Sequence, residues 1–216
     1  MTFRLVLIRH GRTPSNEGGM LDTRVPGPTL TVEGARQAEK LVHLLSERAI
    51  DASEFDSLYV SDMVRTQLTA RSLAVEFGIT PLIRRGIREI SAGELGMRND
   101  DSARKAYLDL VPHWVSGDLE HSVPGGEKGH EFFARFDAVV DHALAEAPRD
   151  QGRTVAFVRH GAAIRCWAAA RSSNISAAFA AENLLNNLDT VTLELNDDSQ
   201  WIVTSWANAA VPCLAE

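Results

Sequence analysis

The stretch Arg4 to Asn16, RLVLIRHGRTPSN, sets the frame for the whole chain. Leu5 to Ile8 are four apolar residues, branched enough to form a buried strand. The strand runs into Arg9-His10-Gly11, and Pro14 is expected to stop a helix from starting at once. One imidazole and two guanidinium groups, those of Arg9 and Arg12, therefore gather at a strand end. Open α/β sheets place their ligands at such ends. Arginine forks match phosphate oxygens two at a time, and a neutral imidazole beside them can attack phosphorus. The pattern returns as Val155-Ala156-Phe157-Val158-Arg159-His160-Gly161. Two apolar strands that each end in Arg-His-Gly predict one site built from two strand ends.

The bulk properties fit that site. A chain of 216 residues can bury one substantial core, and 1–216 reads as a single domain. Its 44% hydrophobic and 24% charged residues are ordinary for a globular protein. The net charge of -7 argues against general nucleic-acid binding, which needs a basic face. It does not oppose an anionic small substrate, because local charge can differ in sign from the whole. The apolar run in Met1 to Ile8 is too short for a signal peptide or a membrane span. Cys166 and Cys213 match no disulfide framework or zinc spacing, so a cytoplasmic location is expected.

Between the two Arg-His-Gly strands the pattern alternates helix and strand. Glu17 to Thr29 is a Gly/Pro-rich loop with Asn16, Asp22 and Arg24 as candidate ligands. Thr31 reads as an N-cap, followed by a helical stripe of Ala35, Ala38, Leu41, Val42 and Leu45. Ser57 to Val60 reads as a strand, and a helix opening at Ser61-Asp62 carries Ala70, Leu73, Ala74 and Phe77 on one face. Arg65 falls in its first turn, where a helix dipole favours anions over cations. A bound anion shared by Arg65 and the helix terminus would account for it. Thr80 to Ile83 reads as a strand leading to Arg84, Arg85 and Arg88 around Glu89, a candidate proton donor. Residues 97–131 are read as an insertion covering the substrate, with a helix over Ala103 to Val115. Phe132, Phe136, Val139, Val140 and Ala143 mark an amphipathic helix, and a small-residue helix follows Gly161. A hairpin of Thr190–Leu195 and Trp201–Trp206 closes the pattern.

His10, His160 and Glu89 could in principle bind a metal. Arginines beside both histidines oppose a cation and suit an anion, and no set of residues in the sequence offers a cation site without an arginine alongside. No metal or cofactor is expected. The set supports phosphoryl transfer through a covalent histidine: His10 attacks, and Arg9, Arg65 and His160 hold the oxygens. Glu89 protonates the leaving alkoxide and then assists water.

These residues resemble the histidine phosphatase superfamily, also called the phosphoglycerate mutase-like family. The resemblance rests on Arg9-His10-Gly11 with Thr13 and Asn16, Leu30-Thr31 with Gly34 and Gln37-Ala38, and Ser61-Asp62 with Arg65 and Thr69-Ala70. Glu89 with Gly93, Gly125-Gly126-Glu127 and His160-Gly161 continue it in order. It implies a three-layer α/β/α sandwich whose mostly parallel sheet carries one antiparallel edge strand. It also implies metal-free phosphohistidine chemistry at His10 with Glu89 as proton donor. Gly11, Thr13, Asn16, Arg24 and Gly161 are expected to contact substrate. Arg12, Leu21-Asp22-Thr23, Lys128 and Arg159 depart from the family pattern. A cofactor-dependent mutase would carry Glu-Arg-His-Tyr-Gly after the catalytic glutamate, where this chain has Glu89-Ile90-Ser91-Ala92-Gly93. The expectation is therefore a phosphatase for a small anionic phosphorylated metabolite. A mutase is the alternative, and a non-catalytic phosphate-binding protein the second. A homodimer stays open, and neither nucleic acid nor membrane is an expected partner.

Overall fold

A computed structural model of the protein describes residues 3–146 and 152–211. Strand β1 spans Phe3–Arg9, two residues longer at the start and one at the end than its apolar run. It lies at the centre of a mixed sheet whose strand order is β3-β2-β4-β1-β5-β6-β7. The strands are β2 (Phe55–Val60), β3 (Leu82–Ile83), β4 (Arg153–Arg159), β5 (Thr190–Leu195), β6 (Trp201–Trp206) and β7 (Ala209–Ala210). β1 and β2 pair with β4 in parallel, and β3 adds to β2 in parallel. The other half, β5 to β7, is antiparallel. The antiparallel part is thus larger than one edge strand, because the closing hairpin docks on β1 and continues the sheet.

Strand alternation sorts the core into two layers. Phe3, Leu5, Leu7, Val155, Phe157, Val191 and Leu193 point to one face. There they meet the buried residues of α5 (Asp101–Leu108), α6 (Leu110–Val115), α7 (Gly129–Ala145), α8 (Gly161–Arg171) and α9 (Ala177–Glu182). Val6, Ile8, Ala156 and Val158 point to the other face, against Leu41 and Leu45 of α3 (Leu41–Glu47) and Ala70 and Leu73 of α4 (Val64–Phe77). Helices on both faces make the three-layer sandwich.

Several element boundaries differ from the sequence pattern for identifiable reasons. Pro14 does not block a helix; it occupies the first position of the one-turn α1 (Pro14–Glu17), where its missing N–H costs nothing. Thr13 caps that turn. The Thr31 stripe splits at Lys40 into α2 (Val32–Glu39) and α3, and Ala35 is exposed. The helix expected over 103–115 breaks at Asp109, since Pro112 cannot donate back to Leu108 and its ring would crowd that carbonyl. Cys166 is buried, with its thiol pushed up by burial, while Cys213 lies outside the described residues.

Gly34 fixes where α2 sits. A Cβ there would land on the Arg12 carbonyl oxygen, so only glycine lets the helix lie on the segment that follows His10. Gly34→Ala should therefore destabilise the protein by about 1–3 kcal/mol through overpacking, measured by urea unfolding. Activity should fall with it, because relief requires moving the chain next to His10.

Candidate active site

The in-register pairing of Arg9 with Arg159 sets the two Arg-His-Gly ends side by side, and the His10 N–H donates to the Arg159 carbonyl at 2.9 Å. Both imidazoles are buried, with ring centres 5.2 Å apart in an edge-to-face arrangement. The His10 Nδ1 lies 2.7 Å from the Gly11 carbonyl oxygen. A carbonyl only accepts, so Nδ1 carries the proton and Nε2 the lone pair. Arg65 Nε donates to that lone pair at 3.1 Å and to His160 Nδ1 at 3.3 Å. The His160 proton therefore sits on Nε2 and is donated to Ser61 Oγ at 2.9 Å. One guanidinium N–H thus holds two neutral imidazoles edge-on.

Burial, then Arg65 and Arg9, hold the His10 pKa well below the usual imidazole value. His160 is held well below it by burial, then by Arg65, His10 and Arg159. His10 forms part of the wall of a cavity of about 760 Å³, together with Arg9, Arg65, Glu89, Thr13, Asn16 and Gly161. His160 is not on that wall; it stands behind Arg65. Arg9 donates to the Leu185 carbonyl, and its Nε packs against Gly161, where a Cβ would come within 3.2 Å. Burial lowers the pKa of both Arg9 and Arg65, opposed most by the charge of Glu89.

Glu89 does not pair with the arginines that precede it in sequence. Arg88 makes a two-pronged pair with Asp62, and Arg84 lies over the Tyr59 ring. The Glu89 carboxylate turns instead to the start of α8. It accepts the N–H groups of Ala162 at 3.2 Å and Ala163 at 2.9 Å, and its own neighbour Ile90 at 2.9 Å. A helix N-terminus supplies those donors, which makes α8 the element that holds the carboxylate in the cavity.

The other expected contacts divide. Thr13 and Asn16 cap α1 reciprocally, and Asn16 Oδ1 also accepts from Asn187 at 3.1 Å. Gly11 acts one step back, since its carbonyl orients His10 and its N–H donates to Thr69 Oγ1 at 2.9 Å. Arg24 lies outside the cavity, exposed, and borders a separate hollow of about 230 Å³ with Ser91 and Glu94. The loop folds so that Asp22, not Arg24, reaches the active cavity. The Asp22 carbonyl accepts from Arg65 at 3.0 Å, and its carboxylate accepts from Ser15 Oγ at 2.7 Å. Arg159, which departs from the family pattern, points away into the core with its guanidinium 3.6 Å from the Phe136 ring centre.

Sequence reading did not single out Arg165, Asn187, Arg104 or Tyr107 on the cavity wall. Arg165 is buried on α8 and donates to the Ala180 carbonyl at 2.6 Å. Its place four residues beyond Gly161, one turn along the same helix, is a signal that helical spacing could have supplied. Asn187 donates to the His10 carbonyl at 2.9 Å from an irregular segment that carries no pattern.

Comparison with known proteins is consistent with this geometry. The family model of the histidine phosphatase superfamily (branch 1) matches residues 5–209. The chain belongs to this superfamily. A probable phosphoglycerate mutase of Escherichia fergusonii is 28% identical over 205 residues, covering 94% of this chain and 89% of the relative. A PE-PGRS family protein of Mycobacterium tuberculosis is 42% identical over 86 residues, 40% of this chain, which spans only 14% of that relative. A mycobacterial glucosyl-3-phosphoglycerate phosphatase, solved with VO3, is 26% identical, with a TM-score of 0.77 over 96% of this chain and 100% of that one.

The two suppressed imidazole values have a consequence for stability. Below about pH 6.5 the unfolded chain binds protons on His10 and His160 that the folded protein refuses, so acid favours unfolding. Each histidine should lower the unfolding free energy by up to about 1.4 kcal/mol per pH unit below that point. Urea unfolding between pH 7.5 and 5 checks the slope, and His160→Gln should make it shallower.

Proposed function

We propose that this histidine phosphatase superfamily member hydrolyses phosphomonoesters through a phosphohistidine on His10. One observation carries the reading: a neutral His10, its proton fixed on Nδ1, presents the Nε2 lone pair beside Arg9 and Arg65 in a cavity. Glu89 enters the step as the carboxylic acid, having taken the proton of the arriving phosphate monoanion. Nε2 attacks phosphorus, the phosphorus–oxygen bond of the ester breaks, and the leaving oxygen takes that proton from Glu89. Water then attacks phosphorus, gives its proton to Glu89, and breaks the phosphorus–nitrogen bond to release inorganic phosphate. As substrate binds, its oxygens would take the Arg65 Nη1 donor, which has no protein partner among the described residues, while Nε stays with the imidazoles. This substitutes fixed charge for solvent around the transferring group. His160 serves by holding Arg65 against His10.

The size and charge of the cavity support an anionic alcohol half. Its volume of about 760 Å³ is far more than a phosphate fills. Beyond Arg9 and Arg65, its wall includes Arg12, Arg104 and Arg165, against the carboxylates of Glu17, Asp22 and Glu89. Arg12 and Arg104 are exposed at its mouth. A second acidic group on the substrate suits these cations, in keeping with the phosphoglycerate-containing name of the structural neighbour. The mutase-named relative supports a second reading, in which the phosphoryl group returns to the same substrate instead of passing to water.

The chemistry is tested at two residues. His10→Ala should abolish turnover and the acid-labile, base-stable phosphate trapped on the wild-type enzyme. Glu89→Gln should slow an alkyl phosphate about 10²–10⁴-fold, yet slow p-nitrophenyl phosphate far less, because p-nitrophenolate leaves without a proton. Equal losses would make Glu89 a positioning group. With 3-phosphoglycerate and a bisphosphoglycerate primer, release of inorganic phosphate supports the hydrolase, and 2-phosphoglycerate formation supports the mutase.

Substrate charge is tested at the cavity mouth. Arg104→Gln should raise KM for phosphomonoesters that carry a second acid group and leave p-nitrophenyl phosphate unchanged. Steady-state kinetics on matched pairs of substrates gives the comparison.

A further inference from the structure

We propose that His113, Asp118 and His121 form a site for one divalent transition-metal ion, best matched to zinc, away from the active cavity. Each of the three offers one ligand atom, and those atoms all lie within 4.8 Å of one another. Two imidazole nitrogens and one carboxylate oxygen are donors that zinc accepts, with room left for water. Tetrahedral zinc at its usual bond lengths separates its donors by about 3.4 Å. His113 Nδ1 and Asp118 Oδ2 already lie 3.0 Å apart.

The chain builds this cluster by local folding. His113 lies in the last turn of α6, and the loop after it bends back on itself. The Asp118 N–H donates to the His113 carbonyl at 2.9 Å, and the Gly117 N–H to the Trp114 carbonyl at 3.1 Å. The buried Trp114 indole donates to the His121 carbonyl at 2.8 Å, so a core residue anchors the far end. Backbone positions are therefore fixed while the side chains keep freedom. His113 and Asp118 side chains are 43% and 54% exposed. The two imidazoles are stacked, with ring centres 3.7 Å apart and planes within 8°. Stacked rings hold their lone pairs in parallel planes, so ligation requires the rings to turn until two nitrogens converge. His113 is exposed and free to make that turn towards the half-buried His121.

Charge separates this cluster from the catalytic histidines. No arginine pairs with any of its three side chains among the described residues, whereas Arg65 bonds both His10 and His160. The nearby Lys128 is 2.6 Å from Glu120, which also faces His130 at 3.3 Å, so that ammonium already has its counter-charge. Sequence alone hid the cluster because its three residues carry no recognised metal spacing. Only the loop brings them together. A bound ion would tie the end of α6 to the loop leading towards Glu127, whose carboxylate accepts the Ser91 N–H at 2.8 Å. The preceding α5 supplies Arg104, Tyr107 and Leu108 to the cavity wall, so the ion would brace the segment that follows this part of the wall.

Titration of zinc chloride into chelator-treated full-length protein, followed by calorimetry in a non-coordinating buffer, tests the assignment. Wild type should bind one zinc and gain thermal stability from it. His113→Ala, His121→Ala and Asp118→Asn should each weaken binding by more than about tenfold, since even residues that only support metal ligands carry that much. Each should also lose the zinc-induced rise in Tm while keeping the zinc-free Tm and circular dichroism. His10→Ala should bind zinc as wild type does. Wild-type protein that takes up no zinc, unchanged binding in the His113→Ala/His121→Ala protein, or loss of binding in His10→Ala would each overturn the proposal.

Discussion

Parallel pairing of β1 with β4, Arg9 opposite Arg159, is the constraint from which the site follows. Because side chains alternate along both strands, this register sends Leu5, Leu7, Val155 and Phe157 to one layer and Val6, Ile8, Ala156 and Val158 to the other. A slip of β4 by one residue would exchange its two sets between layers and put Phe157 where Ala156 or Val158 packs, overfilling one layer and leaving the other short. The hydrophobic layers therefore lock the register, and the register brings the two histidines to 5.2 Å. Core packing and catalytic geometry are consequences of the same pairing.

What that pairing assembles is electrostatically unfavourable in isolation. Two imidazoles are buried against guanidinium groups, and burial lowers the pKa of Arg9, Arg65 and Arg165 as well. Desolvated cations with few counter-charges cost stability, and an anion entering the cavity relieves that cost. In the proposed reaction a phosphoryl group would bind by relieving a desolvation cost that folding has already incurred, which is the form preorganisation would take here. The same cations keep both imidazoles neutral. The groups that would hold the oxyanion thus also keep His10, the proposed nucleophile, unprotonated.

The rest of the site comes from packing between distant segments. Glu89 owes its position to the first turn of α8, more than seventy residues later. Asn187, from the segment before β5, holds both the His10 carbonyl and Asn16. The antiparallel hairpin β5–β6 thus does more than finish the sheet, because docking it on β1 brings Leu185 and Asn187 to the cavity. Gly34 and Gly161 act in the opposite sense, by leaving room for neighbours that a side chain would displace.

The sequence by itself determined the two apolar strands, their Arg-His-Gly ends, most helices and the hairpin. It did so because buried strands and amphipathic helices are written in local periodicity, and because reactive residue types at strand ends are few. It also determined that His10, Arg9, Arg65 and Glu89 belong to one cavity, through their order along a recognisable motif series. It did not determine that Glu89 faces a helix terminus instead of its arginine neighbours, or that Arg24 turns outward while Asp22 turns in. Nor did it place His160 behind Arg65, or gather Arg104, Arg165 and Asn187 on the wall. Those are matters of side-chain direction and of which backbone donors remain unsatisfied, and such facts exist only once helices and loops have packed. Local pattern fixed what could react; tertiary contact decided what each reactive group faces.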